Sequence, residues 1–75
     1  MGQLIELHSK AGDVKTIWDA TRPEEVAQAR KVFNDLKAKR YLAYKVKANG
    51  EKGVVTETFD PDAEKIIMAP AMSGG

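Results

Sequence analysis

Charged side chains are plentiful in this chain of 75 residues, but cysteine and histidine are scarce and no catalytic spacing joins the carboxylates. There is no cysteine, so no thiol nucleophile. The one histidine, His8, has no second histidine or cysteine with which to hold a metal. No glycine-rich phosphate loop, Ser-His-Asp order or pair of catalytic carboxylates occurs. Asp60 and Asp62 flank Pro61 and are accounted for by an Asx-type turn. Glu24 and Glu25 are accounted for as charges at a helix start. What remains is the end of the backbone. The last ten residues read Ile66-Ile67-Met68-Ala69-Pro70-Ala71-Met72-Ser73-Gly74-Gly75. The reactive group there is the carboxylate of Gly75. Two glycines leave it bare, because neither has a Cβ to block a second backbone or a nucleotide.

That segment needs a folded platform, and the pattern of the chain predicts one. Gln3 to Ser9 sets Ile5 and Leu7 on one side and Glu6 and His8 on the other, a strand with one wet face. Lys10-Ala11-Gly12-Asp13 reads as a turn, with Gly12 supplying positive φ. Val14 to Asp19 reads as a second strand, antiparallel to the first, with Trp18 assigned to the core. Thr21-Arg22-Pro23-Glu24 marks a helix start, with Thr21 as N-cap and Glu24 completing a capping box. The helix is expected over Arg22 to Arg40, with an apolar stripe of Val26, Ala29, Phe33 and Leu36 and Val32 beside it. Lys37, Lys39 and Arg40 suit its negative end.

Tyr41 to Ala48 returns to strand character, with Leu42, Tyr44, Val46 and Ala48 on one face. Asn49-Gly50-Glu51-Lys52-Gly53 reads as a hairpin turn, and Val54 to Phe59 as the next strand. Asp60-Pro61-Asp62-Ala63-Glu64 breaks it. Lys65 to Ala69 is the last strand, uniformly apolar over Ile66-Ile67-Met68 as expected for a strand covered on both sides. The expectation is an α+β fold: one amphipathic helix on a mixed sheet of four to five strands, in the chain order ββαβββ. The last strand is placed centrally, beside the first. Residues 1–70 make a single domain, and 71–75 a flexible tail.

Net charge is +1, but it is unevenly spread. Residues 30–52 hold eight cations against Asp35 and Glu51, a local +6. The flanks, residues 1–29 and 53–75, sum to −2 and −3. A chain of this size buries only about 60% of its unfolded surface, and without disulfides it relies on its core or a partner. Absent cysteine, a secretory signal and any long apolar run, a soluble cytoplasmic protein with no membrane partner is expected.

A hairpin, a helix, and a return beneath it whose carboxyl end leaves the sheet as a tail resemble the ubiquitin-like β-grasp fold. The ending from Ile67 to Gly75, with Pro70 and the final Gly74-Gly75, is similar to the small sulfur carriers of molybdopterin and thiamine synthesis. The acidic turn from Asp60 to Glu64 sits where those proteins carry a polar turn. Ala71 stands where a second proline is usual. The resemblance implies a carrier or modifier and not an enzyme. An ATP-dependent adenylating partner converts the Gly75 carboxylate to a mixed anhydride, which a thiolate, persulfide or amine then attacks. The product is a thiocarboxylate for a sulfur-transfer partner or an amide on an acceptor protein. No cofactor is expected in this chain. Gly74 lets the backbone lie flat on the nucleotide, and Ala71 and Ser73 suit a narrow channel. Met68 and Met72 are candidate contacts for the partner; Met68 fits the core equally well.

Two other readings stand beside this one. In the first the chain is a small accessory or interaction subunit, of the kind found in phages, and uses a sheet edge or Trp18 as its contact. In the second the basic middle binds nucleic acid, with Tyr41 and Tyr44 as stacking platforms.

Overall fold

A computed structural model of the chain describes residues 1–7, 12–46 and 53–71. Strands β1 (Gly2–Glu6) and β2 (Val14–Trp18) pair antiparallel. Gly12 has φ 79°, the left-handed value expected of a turn glycine; residues 10 and 11 of that expected turn lie outside the described residues. Helix α1 (Pro23–Ala38) follows, then β3 (Tyr41–Val46), β4 (Val54–Val55) and β5 (Lys65–Pro70). The architecture is α+β, with one helix and one mixed five-stranded sheet.

In space the sheet order is β2-β1-β5-β3-β4, which differs from the order along the chain. The last strand is central: β5 runs parallel to β1 and antiparallel to β3. The crossover that a parallel pair requires contains α1.

The helix starts by a different device from the expected capping box. Its N-cap is Arg22, with no side-chain cap bond, and Pro23 opens the first turn. The polar work is done one turn earlier by Asp19. Its carboxylate accepts the backbone N–H and the hydroxyl of Thr21, at 2.9 and 2.7 Å. The Glu25 carboxylate, not that of Glu24, reaches back to the Asp19 N–H at 2.9 Å. The capping-box spacing was therefore misplaced, because Asp19 is a stronger acceptor than a threonine hydroxyl. The helix spans Pro23–Ala38 rather than 22–40.

The core forms where α1 covers the sheet. Ala29, Phe33 and Leu36 are buried from the helix, with Val26 and Val32 packed alongside, as the stripe predicts. From the sheet come Leu4, Trp18, Ala43, Ile66 and Met68, and from the turn before β5 comes Ala63. Each large apolar side chain buried here contributes about 1.5–3 kcal/mol. Phe59 closes one side, its ring 5.0 Å from Trp18 and 5.9 Å from Phe33 between centroids. Arg30 lies over its ring, 5.8 Å from the centroid.

Three expectations are corrected. On β1 the buried residue is Leu4, so Ile5 and Leu7 belong to the face away from the helix. On β3 Leu42, Tyr44 and Val46 share one face as expected, and with Ala43 buried it is the face turned from the helix; Ala48 lies outside the described residues. Alternation reveals two faces but not which one the helix takes, and here both are apolar. On β5, Ile66 and Met68 are buried while Ile67 is only half-buried; the strand is central, but the helix covers only one of its faces. Finally, the expected strand from Val54 to Phe59 stops at Val55. The Thr56 N–H still bonds the Ala43 carbonyl, but its hydroxyl donates to the Thr58 carbonyl and bends the chain. That bend brings Phe59 to the core.

Candidate functional site

The C-terminal segment leaves from the middle of the sheet. Tyr41 of β3 pairs with Pro70, the last residue of β5. One step further, the Ala71 N–H donates to the Arg40 carbonyl at 3.1 Å. Pro70 and Ala71 are exposed. Met72, Ser73, Gly74 and Gly75 lie outside the described residues. Met68 is wholly buried, so its side chain serves the core and not a docking surface.

Beside this exit lies the face of the sheet opposite α1. Paired residues share a face, so Ile5, Ile67, Tyr44 and Val55 form one apolar row across β1, β5, β3 and β4. Leu42 and Ala69, paired with each other, extend it toward Ala71. Ile17 on edge strand β2 adds to it opposite Gln3. Val55 is 48% exposed, Leu42 37% and Ile17 56%. Lys15, opposite Ile5, and Lys65, opposite Gln3 and Val46, are the charged strand residues on this face. No strand position described on this face carries a carboxylate. A part-exposed apolar row flanked by two lysines suits a partner surface better than open water.

Two carboxylates away from this face hold turns. The Asp60 carboxylate accepts the Asp62 N–H at 2.9 Å and pairs with the Lys45 ammonium at 3.1 Å. These two bonds, the backbone one first, hold its pKa below the ordinary 3.8. Asp19 is likewise lowered, first by the Thr21 hydroxyl and then by the Thr21 N–H. Both are the Asx-type turns that bound α1 and β5. No group of three or more potential metal ligands exists among the described residues. A recess of about 230 Å³ lined by Met1, Gly2, Gln3 and Ile17 offers no acid, base or nucleophilic side chain. No helix among the described residues is long and apolar enough to cross a membrane.

Three of the described cations of the basic middle are engaged within the fold, and its two tyrosines do not share a face. Tyr41 and Tyr44 are three residues apart on β3 and so face opposite ways; Tyr41 packs against the core. Lys37 pairs with Glu57 at 3.1 Å, Lys45 with Asp60, and Arg30 stacks on Phe59.

The sequence reading sets Arg40 at the helix end but does not anticipate its backbone conformation. Arg40 has φ 67°, the left-handed region, directly after the helix. A signal existed: a helix that passes into a strand within two residues needs a left-handed turn, a position that glycine usually fills. Comparison of this chain with protein-family models, with curated proteins and with solved structures finds no match.

Proposed function

We propose that this chain is a ubiquitin-like β-grasp protein that carries chemistry on its C-terminal carboxylate, as a sulfur carrier or a protein modifier. The observation that carries the reading is the place of β5. It is the central strand, held by β1 and β3, and its exposed end sets Ala71, which residues 72–75 follow in the sequence, beside the part-exposed apolar row. The N-terminal hairpin, the single helix in the crossover and the parallel β1–β5 pair support the β-grasp assignment.

In this reading a carboxylate oxygen of Gly75 attacks the α-phosphorus of ATP in a partner enzyme, and pyrophosphate leaves. A lysine amine can then attack the acyl carbon; AMP leaves, a proton is lost and an amide forms. Alternatively a partner persulfide attacks and AMP leaves, giving an acyl disulfide. A second thiol of the partner then cleaves the S–S bond, is oxidised to a disulfide and releases the thiocarboxylate. Attacking sulfur must come from the partner, because this chain has no cysteine. The apolar row from Ile5 to Val55 is the docking surface for that partner. Its cations favour a partner whose matching surface is apolar with an acidic rim.

The second reading, a non-catalytic interaction or accessory subunit, draws on the same apolar row and needs nothing of Gly75. Nucleic-acid binding is the weaker proposal, since Tyr41 and Tyr44 do not share a face.

Intact mass of the protein isolated from its own source, with blots for larger covalent species, separates these readings. Oxygen replaced by sulfur at the C-terminus establishes a carrier. A Gly-Gly remnant on target lysines establishes a modifier. The free acid alone, unchanged on supply of ATP and the source's adenylating enzymes, overturns both and leaves the interaction subunit.

A further inference from the structure

Strand β2 forms an edge of the sheet, and its outer side is open to solvent. No described strand lies beyond it. Val14, Lys15 and Ile17 are all exposed, Ile17 to 56%. The bonds on the inner side fix which backbone groups point outward. A strand residue turns its N–H and C=O to one side, and the next residue turns them to the other. The N–H groups of Gln3 and Leu7 donate to the carbonyls of Glu64 and Met68, on the β5 side. Gly2, Leu4 and Glu6 therefore turn toward β2, where they pair with Trp18, Thr16 and Val14. Within β2 that leaves Lys15 and Ile17 with both groups directed outward.

This open stretch has a closed end. Asp19, next in the alternation, gives its N–H to the Glu25 carboxylate at 2.9 Å, and its carbonyl accepts the Arg22 N–H at 2.9 Å. What β2 presents is a donor and an acceptor on each side of Thr16. Such a template is its own complement. A two-fold axis through Thr16 sets Lys15 opposite Ile17 of a second copy and Ile17 opposite its Lys15, so every outward group of β2 finds a partner. The two Thr16 residues then face each other in a non-hydrogen-bonded pair. The stem of each Lys15 lies against the opposite Ile17. Its ammonium stands between Asp13 of its own chain and Asp19 of the other, so the one charged residue of β2 meets opposite charge. The proline or bulge that guards many edge strands is absent from β2.

We infer that β2 is a self-association edge, at which two copies of this chain join β2 to β2 antiparallel and merge their five-stranded sheets into one. The axis is perpendicular to the sheet, so both helices lie on one face and both apolar rows on the other. The rows stay open, and Gly75 takes no part, so the inference stands apart from the carrier reading. A join made by one short strand from each copy is small, and the dimer is a weak one.

Sedimentation equilibrium of the purified chain is the test, with a monomer–dimer transition expected between about 10 μM and about 1 mM. Ile17→Lys sets lysine against Lys15 at an exposed position and should raise the dimer Kd at least about tenfold. Lys15→Pro should do the same, because it removes an outward N–H and no bond to β1. Circular dichroism should show the fold retained in Ile17→Lys, which separates lost association from lost folding. Leu42→Glu, on the apolar row, should dimerise as the parent does. The register has its own readout. The chain has no cysteine, so a disulfide in Thr16→Cys joins two copies, and a non-hydrogen-bonded pair is close enough to form one. Oxidation of that variant with diamide should give the cross-linked dimer. A parent chain still monomeric at about 1 mM overturns the inference. A dimer that survives Ile17→Lys, that Leu42→Glu abolishes, or whose Thr16→Cys form does not cross-link overturns it as well.

Discussion

The indole Nε1–H of Trp18 donates to the carbonyl oxygen of Pro61 at 2.9 Å. This bond joins the end of β2 to the turn before β5, across the two ends of the chain. It satisfies the one polar group on the largest buried side chain, and among the described residues no buried side-chain N or O is left unpaired. Gly2 completes the arrangement, because a Cβ there would collide with the Trp18 ring and the Ala63 carbonyl.

Trp18→Phe should keep most of the apolar contact and lose the bond to Pro61, at a cost of about 1–2 kcal/mol. Gly2→Ala should cost about 1–3 kcal/mol by overpacking. Urea unfolding followed by circular dichroism measures both. A Trp18→Phe protein as stable as the parent would show that the indole bond contributes nothing net.

Acid should loosen the two Asx turns. The folded pKa values of Asp19 and Asp60 are depressed below 3.8. Their stabilisation is therefore fully present above the unfolded pKa and is lost as pH falls through the folded values, that is, below about pH 4. Asp60→Asn retains an acceptor for the Asp62 N–H and loses the pairing with Lys45. The two side chains are 40% and 35% exposed, so screening limits that pairing to roughly 0.5 kcal/mol. The urea midpoint of Asp60→Asn should fall less between pH 5 and pH 3 than that of the parent. Equal falls would remove Asp60 from the acid response.

The apolar row should matter to partners and little to folding. Leu42→Glu and Val55→Glu alter exposed positions and should change stability by no more than about 0.5 kcal/mol. On the carrier reading each should still weaken chain-dependent pyrophosphate exchange, about tenfold if the row is buried at the interface. Unchanged exchange by both variants would exclude this face as the docking surface.

The terminal carboxylate should tolerate neither loss nor burial. Deleting Gly75, or adding one alanine after it, should abolish covalent products in intact mass spectra while the melting temperature stays within a degree or two of the parent. Products that persist in both variants would point to another attachment site. An accessory subunit keeps its partner binding in both.

Much of the fold was legible locally. Positions Val26, Ala29, Phe33 and Leu36 repeat at helical spacing, and all four face the core. Pro23 marks the helix start and Gly12 the turn. What misled was competition between equal signals. Thr21 and Asp19 both offer capping oxygens, and the carboxylate won. Ile5 and Leu7 looked more like a core face than Leu4 did, yet Leu4 is the buried one.

By itself, the sequence determined the kinds of element, their order along the chain, the apolar stripe of α1 and the absence of a thiol, because these depend on residue type and short-range spacing. Only the tertiary structure decided which sheet face α1 covers, that Met68 is core while Ile67 faces outward, and that the left-handed Arg40 clamps Ala71 at the end of β5. Those outcomes depend on contacts between residues far apart in the chain. A strand with two apolar faces can satisfy its pattern either way until a helix is laid on one of them.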